Sequence, residues 1–119
     1  MPEWSGLVLE VAKRRGYRVE EKGSTVIVRH PEAPLALRIA ETGRGVEIRL
    51  EAEGVDDYLE DLMESSPAPR ELLEQHIDDL TELALEVSRI LESKGYRPVL
   101  RLREEAMDLL ERLEELEES

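Results

Sequence analysis

The periodicity of the chain predicts an α+β fold: an N-terminal helix, a four-stranded antiparallel meander, then C-terminal amphipathic helices with a short edge strand between them. Two patterns and one piece of punctuation carry this. Between Tyr17 and Leu50 apolar residues alternate with polar ones, the period of a half-buried strand, whereas before and after that stretch they recur every three to four residues, the period of a helix face. The punctuation is Arg15-Gly16-Tyr17-Arg18 and its echo Lys94-Gly95-Tyr96-Arg97, where a cationic last turn and a glycine end one helical pattern and begin an extended one.

Trp4, Leu7, Val8, Val11 and Ala12 share one face of the first helix, and Lys13, Arg14 and Arg15 complement the negative end of its dipole. Tyr17/Val19, Val26/Val28, Leu35/Leu37/Ile39 and Val46/Ile48/Leu50 then mark four strands, separated by turns at Lys22-Gly23, His30 to Pro34 and Thr42 to Gly45. Their other face carries Arg18, Glu20, Arg29, Arg38, Glu47, Arg49 and Glu51, with Ile27 as the apolar exception, so one side of the sheet is covered and the other wet. Val55, Tyr58, Leu59, Leu62 and Met63 predict a short helix, and the Pro-rich residues 65–69 a hinge. Pro69 suits the first turn of a long helix running to Lys94. In it Leu73, Ile77, Leu80, Ala84, Val87 and Leu91 form a three-heptad seam. Pro98 cannot donate to a ladder, which predicts that Val99 to Arg103 form only a short edge strand. A last helix from Glu104 to about Glu118 carries Ala106, Leu109, Leu113 and Leu116, and its final turn places Glu114, Glu115, Glu117 and Glu118 where the dipole favours cations. The basic run Lys13-Arg14-Arg15 is the expected counter-charge.

The length fits a single domain, 1–119, made of a helix-plus-sheet part (1–53) and an acidic helical part (54–119). Charge is divided along the same line. Residues 1–52 hold nine Lys/Arg against eight Asp/Glu and residues 53–119 hold seven against twenty-one, which gives +1 and −14 and a total of −13. That balance speaks against nucleic acid as a partner. The chain has no Cys, so thiol nucleophiles, disulfides and zinc-thiolate sites are excluded, and no apolar run approaches a membrane span. The expectation is a soluble cytoplasmic protein with no membrane partner. Asn is absent, Gln75 is the single Gln, and 38% of residues are charged, the composition of a thermophile's protein.

Candidate chemistry is sparse. His30 lies beside a turn proline and His76 on the long helix with Asp79 one turn on, too few ligands for a zinc site, so no metal and no cofactor is expected. Asp56-Asp57, Asp78-Asp79 and Glu104-Glu105 are adjacent pairs that diverge on a helix and make poor general acid/base couples. Thr42-Gly43-Arg44-Gly45 lacks the Lys-Ser/Thr ending of a phosphate loop and reads as a hairpin turn. No catalytic residue is assigned and no enzyme activity expected.

Two features remain. Arg18, Arg29, Arg38 and Arg49 on successive strands could contact a small anion or instead pair with Glu20, Glu47 and Glu51. The seam Leu73, Ile77, Leu80, Ala84, Val87, Leu91 and the stripe Leu109, Leu113, Leu116 offer more apolar surface than one sheet face can cover, which predicts a homodimer. In the order of its elements, a helix before an antiparallel meander and helices after it, the chain resembles the small acidic chaperones of bacterial secretion and the related YbjN-type domains. That resemblance implies a dimer that binds a segment of another, unidentified protein. The functional expectation is thus a non-catalytic protein-binding, adaptor or chaperone-like module, with a small-anion regulatory domain and an acidic mimic of nucleic acid as alternatives.

Overall fold

The computed structural model describes residues 2–118 and has four helices and one five-stranded sheet in the order α1 (Ser5–Arg14), β1 (Arg18–Lys22), β2 (Thr25–Arg29), β3 (Leu35–Thr42), β4 (Gly45–Ala52), α2 (Val55–Ser65), α3 (Pro69–Ser93), β5 (Pro98–Arg101), α4 (Arg103–Glu118). The expected α+β class and element order are those observed. Sheet order is β1-β2-β3-β4-β5, antiparallel through β4, with β5 parallel to β4 at the edge. The parallel pairing follows from connectivity: α2 and α3 carry the chain back across the sheet before β5 begins, as a parallel crossover requires.

Alternation sorts each strand as its pattern dictates. Val26, Val28, Leu35, Leu37, Ile39, Val46, Ile48 and Leu50 are buried on the face that carries the helices. Three helices lie on that face, α1 over β1 and β2, α3 over β3 and β5, and α4 over β4, while α2 packs against α3 and α4. The surplus apolar stripe resolves within the chain. Helix α3 sits centrally, packs against α1, α2 and α4 as well as the sheet, and so buries Leu73, Ile77, Leu80, Ala84, Val87 and Leu91 on several sides at once. The extra stripe is therefore spent helix on helix, the usual fate of amphipathic helices crowded over one sheet.

Two boundaries differ from expectation. The edge strand begins at Pro98 and ends at Arg101, because α4 already starts at Arg103 and leaves only Leu102 between them. Arg15 pairs with Glu86 of α3 at 2.8 Å, holding that carboxyl below its usual range through the guanidinium hydrogen bond, and so one member of the basic run is engaged with α3. Residues 65–69 join α2 to α3 through an extended Ser66 whose hydroxyl accepts from the Ala68 N–H at 3.2 Å.

Candidate functional site

Two places collect polar side chains in numbers that packing alone does not require: a buried histidine pair between the sheet and the helices, and the open face of the sheet.

The histidine pair is assembled from distant segments. His30, at the end of β2, and His76, on the inward face of α3, are both buried, and their ring centroids stand 4.7 Å apart. Each His30 nitrogen has a fixed role. Nδ1 accepts from the backbone N–H groups of Glu32 and Ala33 at 3.0 and 3.1 Å, so Nε2 carries the hydrogen and donates it to Asp79 Oδ2 at 2.9 Å. Asp79 thus serves His30, although its position one turn after His76 suggests a partnership within the helix. Tyr17 closes the other side, its ring edge-on to His30 and its hydroxyl donating to the Asp79 carbonyl at 3.2 Å.

His76 is less well satisfied. Its Nδ1 accepts from the Tyr58 hydroxyl, whose own pKa burial pushes up to about 12, so that it stays a donor. This leaves the hydrogen on Nε2, which lies 3.5 Å from Glu32 Oε2 and makes no hydrogen bond. Burial, and then the neighbouring His30, lower the His76 pKa despite the opposing pull of Glu32 and Asp79. Its value in the folded chain therefore lies below the ordinary ~6.5, so the unfolded chain takes up the proton first. Stability is full above about pH 6.5 and declines as pH falls through the interval down to the folded value. Urea unfolding of the wild type and of His76→Gln at neutral and mildly acidic pH checks this: the wild-type midpoint drops with acidification and the variant loses that component. Among the described residues no group of three or more His, Asp or Glu is placed to hold a metal ion. The arrangement reads as a polar clasp joining β2, α2 and α3.

The open sheet face is built by register. Opposite Arg18 stands Arg29; opposite Arg38 stands Arg49, and opposite Arg49 stands Arg101. Arg38, Arg49 and Arg101 therefore form one cross-strand row with rungs about 4.8 Å apart, and like charges directly opposite each other destabilise a sheet. Carboxylates offset part of this. Glu20 accepts from Arg29 at 2.9 Å, which holds its carboxyl below the usual range, and lies 3.9 Å from Lys22; Glu51 meets Arg38 at 3.5 Å and Glu47 meets Arg49 at 3.3 Å. Arg18 and Arg101 meet no carboxylate among the described residues.

The face thus presents six cations (Arg18, Lys22, Arg29, Arg38, Arg49, Arg101) to three interleaved carboxylates, with Glu53 a fourth at its margin, on a molecule of net charge −13. Ile27 and Ala36 form its apolar floor, almost covered by the stems of the charged residues around them. Shallow clefts lie at both ends of the Arg38–Arg49–Arg101 row, one of about 290 Å³ lined by Arg29, Arg38, Glu51 and Glu53 and one of about 420 Å³ lined by Arg49, Arg101, Arg103, Glu104 and Glu105.

Of the sites expected from sequence, the four arginines Arg18, Arg29, Arg38 and Arg49 do share this face, and Arg101 joins them. The residues expected at a dimer contact lie elsewhere: Leu73, Ile77, Leu80, Ala84, Val87, Leu91, Leu109 and Leu113 are all buried inside one chain and Leu116 is half-buried. The large apolar side chains left exposed are Leu85, Leu100 and Met107, on three different elements. Comparison of the chain with protein-family profiles, with curated proteins and with solved structures finds no match. No helix among the described residues is long and apolar enough to cross a membrane.

Proposed function

We propose that this chain is a cytoplasmic, non-catalytic protein-binding module whose working surface is the outer face of the sheet. The observation that supports this reading is the contrast between the two faces: one is covered by the helices, while the other stands open and concentrates cations on a strongly acidic molecule. A sheet face used only for solubility gains nothing from setting arginines opposite one another. A surface that takes a partner regains that cost from the contacts it makes. The small-anion reading uses the same arginines, but the three interleaved carboxylates and shallow clefts suit a broad polar contact better than capture of one compact ion.

The experiment is site-specific photo-cross-linking in the native host extract, with a photoreactive side chain at Arg38 on the sheet face and, as control, at Glu82 on the exposed side of α3. The reading expects a discrete cross-linked protein from position 38 and none from position 82. Equal labelling from both positions, or from neither, contradicts it. The homodimer expected from the heptad stripes loses most of its packing rationale, since a single chain already buries all of them except the half-buried Leu116.

A further inference from the structure

We infer that the partner of the outer sheet face presents an acidic helix, whose carboxylates, one turn apart, lie along the Arg38–Arg49–Arg101 row. The inference rests on the protein-binding reading above and adds the chemistry of what binds. Charge sets its sign. Arg38 and Arg49 are exposed, each is only partly engaged by its glutamate at 3.5 and 3.3 Å, and Arg101 meets no carboxylate among the described residues, so guanidinium donors remain free along the whole row.

Spacing sets its form. The row has rungs about 4.8 Å apart, and residues one turn apart on a helix stand about 5–6 Å apart, whereas alternate side chains of an extended strand are separated by nearly 7 Å. A helix laid across the strands therefore brings successive carboxylates onto successive arginines, each able to take a paired, charge-assisted contact. Nucleic acid fits less well. The face carries no aromatic residue on which a base could stack, and its row of three rungs is too short to follow a phosphate backbone. A second copy is disfavoured by the mutual repulsion of two chains at −13 each.

The test uses the full chain and a blocked synthetic peptide of repeated Glu-Ala-Ala-Ala-Glu units, with a Lys-for-Glu version, oligo-dT and inorganic tripolyphosphate as comparisons. Titrations at low ionic strength are followed by two-dimensional amide NMR. The expected result is saturable shifts confined to residues 36–40, 47–51 and 98–101 with the acidic peptide alone. Arg49→Glu and Arg101→Glu should each weaken binding roughly tenfold. Glu47→Gln with Glu51→Gln should strengthen it severalfold, a gain that misfolding cannot imitate.

The inference is overturned if the peptide gives no saturable shift, if the shifts fall on residues 13–15 instead, or if oligo-dT or tripolyphosphate binds as tightly. It is likewise overturned if the chain self-associates in a manner abolished by Arg49→Glu, since a second copy is then the occupant. A cross-linked partner from position 38 together with an inert peptide would reject the acidic helix and leave the protein-binding reading standing.

Discussion

Leu80→Glu leaves the chain unfolded at every protein concentration. Leu80 is fully buried at the centre of α3, where the sheet and the neighbouring helices converge. Truncation of such a leucine alone costs about 2–5 kcal/mol, and a carboxylate there must either lose its hydration or hold its proton at further cost. Against a total stability of about 5–15 kcal/mol for a domain, the sum removes the folded state or most of it. Circular dichroism at two well-separated concentrations provides the check. A variant that stays folded and only changes its oligomeric state would show that Leu80 faces another chain.

Gly45→Ala should cost about 3 kcal/mol or more, an unusually large effect for a hairpin turn. Gly45 has φ +141°, a region that side-chain-bearing residues rarely adopt, and a Cβ built there would overlap the carbonyl oxygen of Arg97. That oxygen accepts from the Val46 N–H at 2.8 Å and begins the pairing of β5 with β4. The methyl group thus strains the turn and pushes the edge strand away together. Gly43→Ala, two residues earlier, meets nothing within 4 Å and has no positive φ, so it should change stability by less than about 0.5 kcal/mol. Urea denaturation of the pair measures the difference, and faster amide exchange in residues 98–101 of Gly45→Ala locates its cause.

The strands were legible because alternation reports directly which face is buried. Val26 and Val28 point inward around an outward Ile27, and the structure covers Ile27 with charged stems rather than with a helix. The helices were legible from their stripes and glycine stops. Their packing was not, since a 3–4 spacing shows that Leu73 to Leu91 must be buried but not whether a sheet, a helix or another chain does it. The arginine rungs were partly within reach. Two-residue hairpin loops at Gly23-Ser24 and Gly43-Arg44 fix register, which places Arg18 opposite Arg29 and Arg38 opposite Arg49. Arg101 was out of reach, because a parallel strand after a long crossover takes a register that no local turn encodes. The pairing of His30 with His76 could not be read from the sequence. Its members are brought together only by the docking of α3, and the one suggestive spacing, His76 to Asp79, pointed to the wrong histidine.

On a molecule of net charge −13, the outer face of the sheet is where cations gather. Paramagnetic relaxation of backbone amides by anionic and cationic nitroxide cosolutes of equal size maps this potential, since each probe concentrates where the local potential is opposite to its own charge. The anionic probe should be enriched over the cationic one at residues 36–40 and 47–51, and the ratio should reverse on α2 and α4. Enrichment of the cationic probe on every surface, the sheet face included, would contradict it.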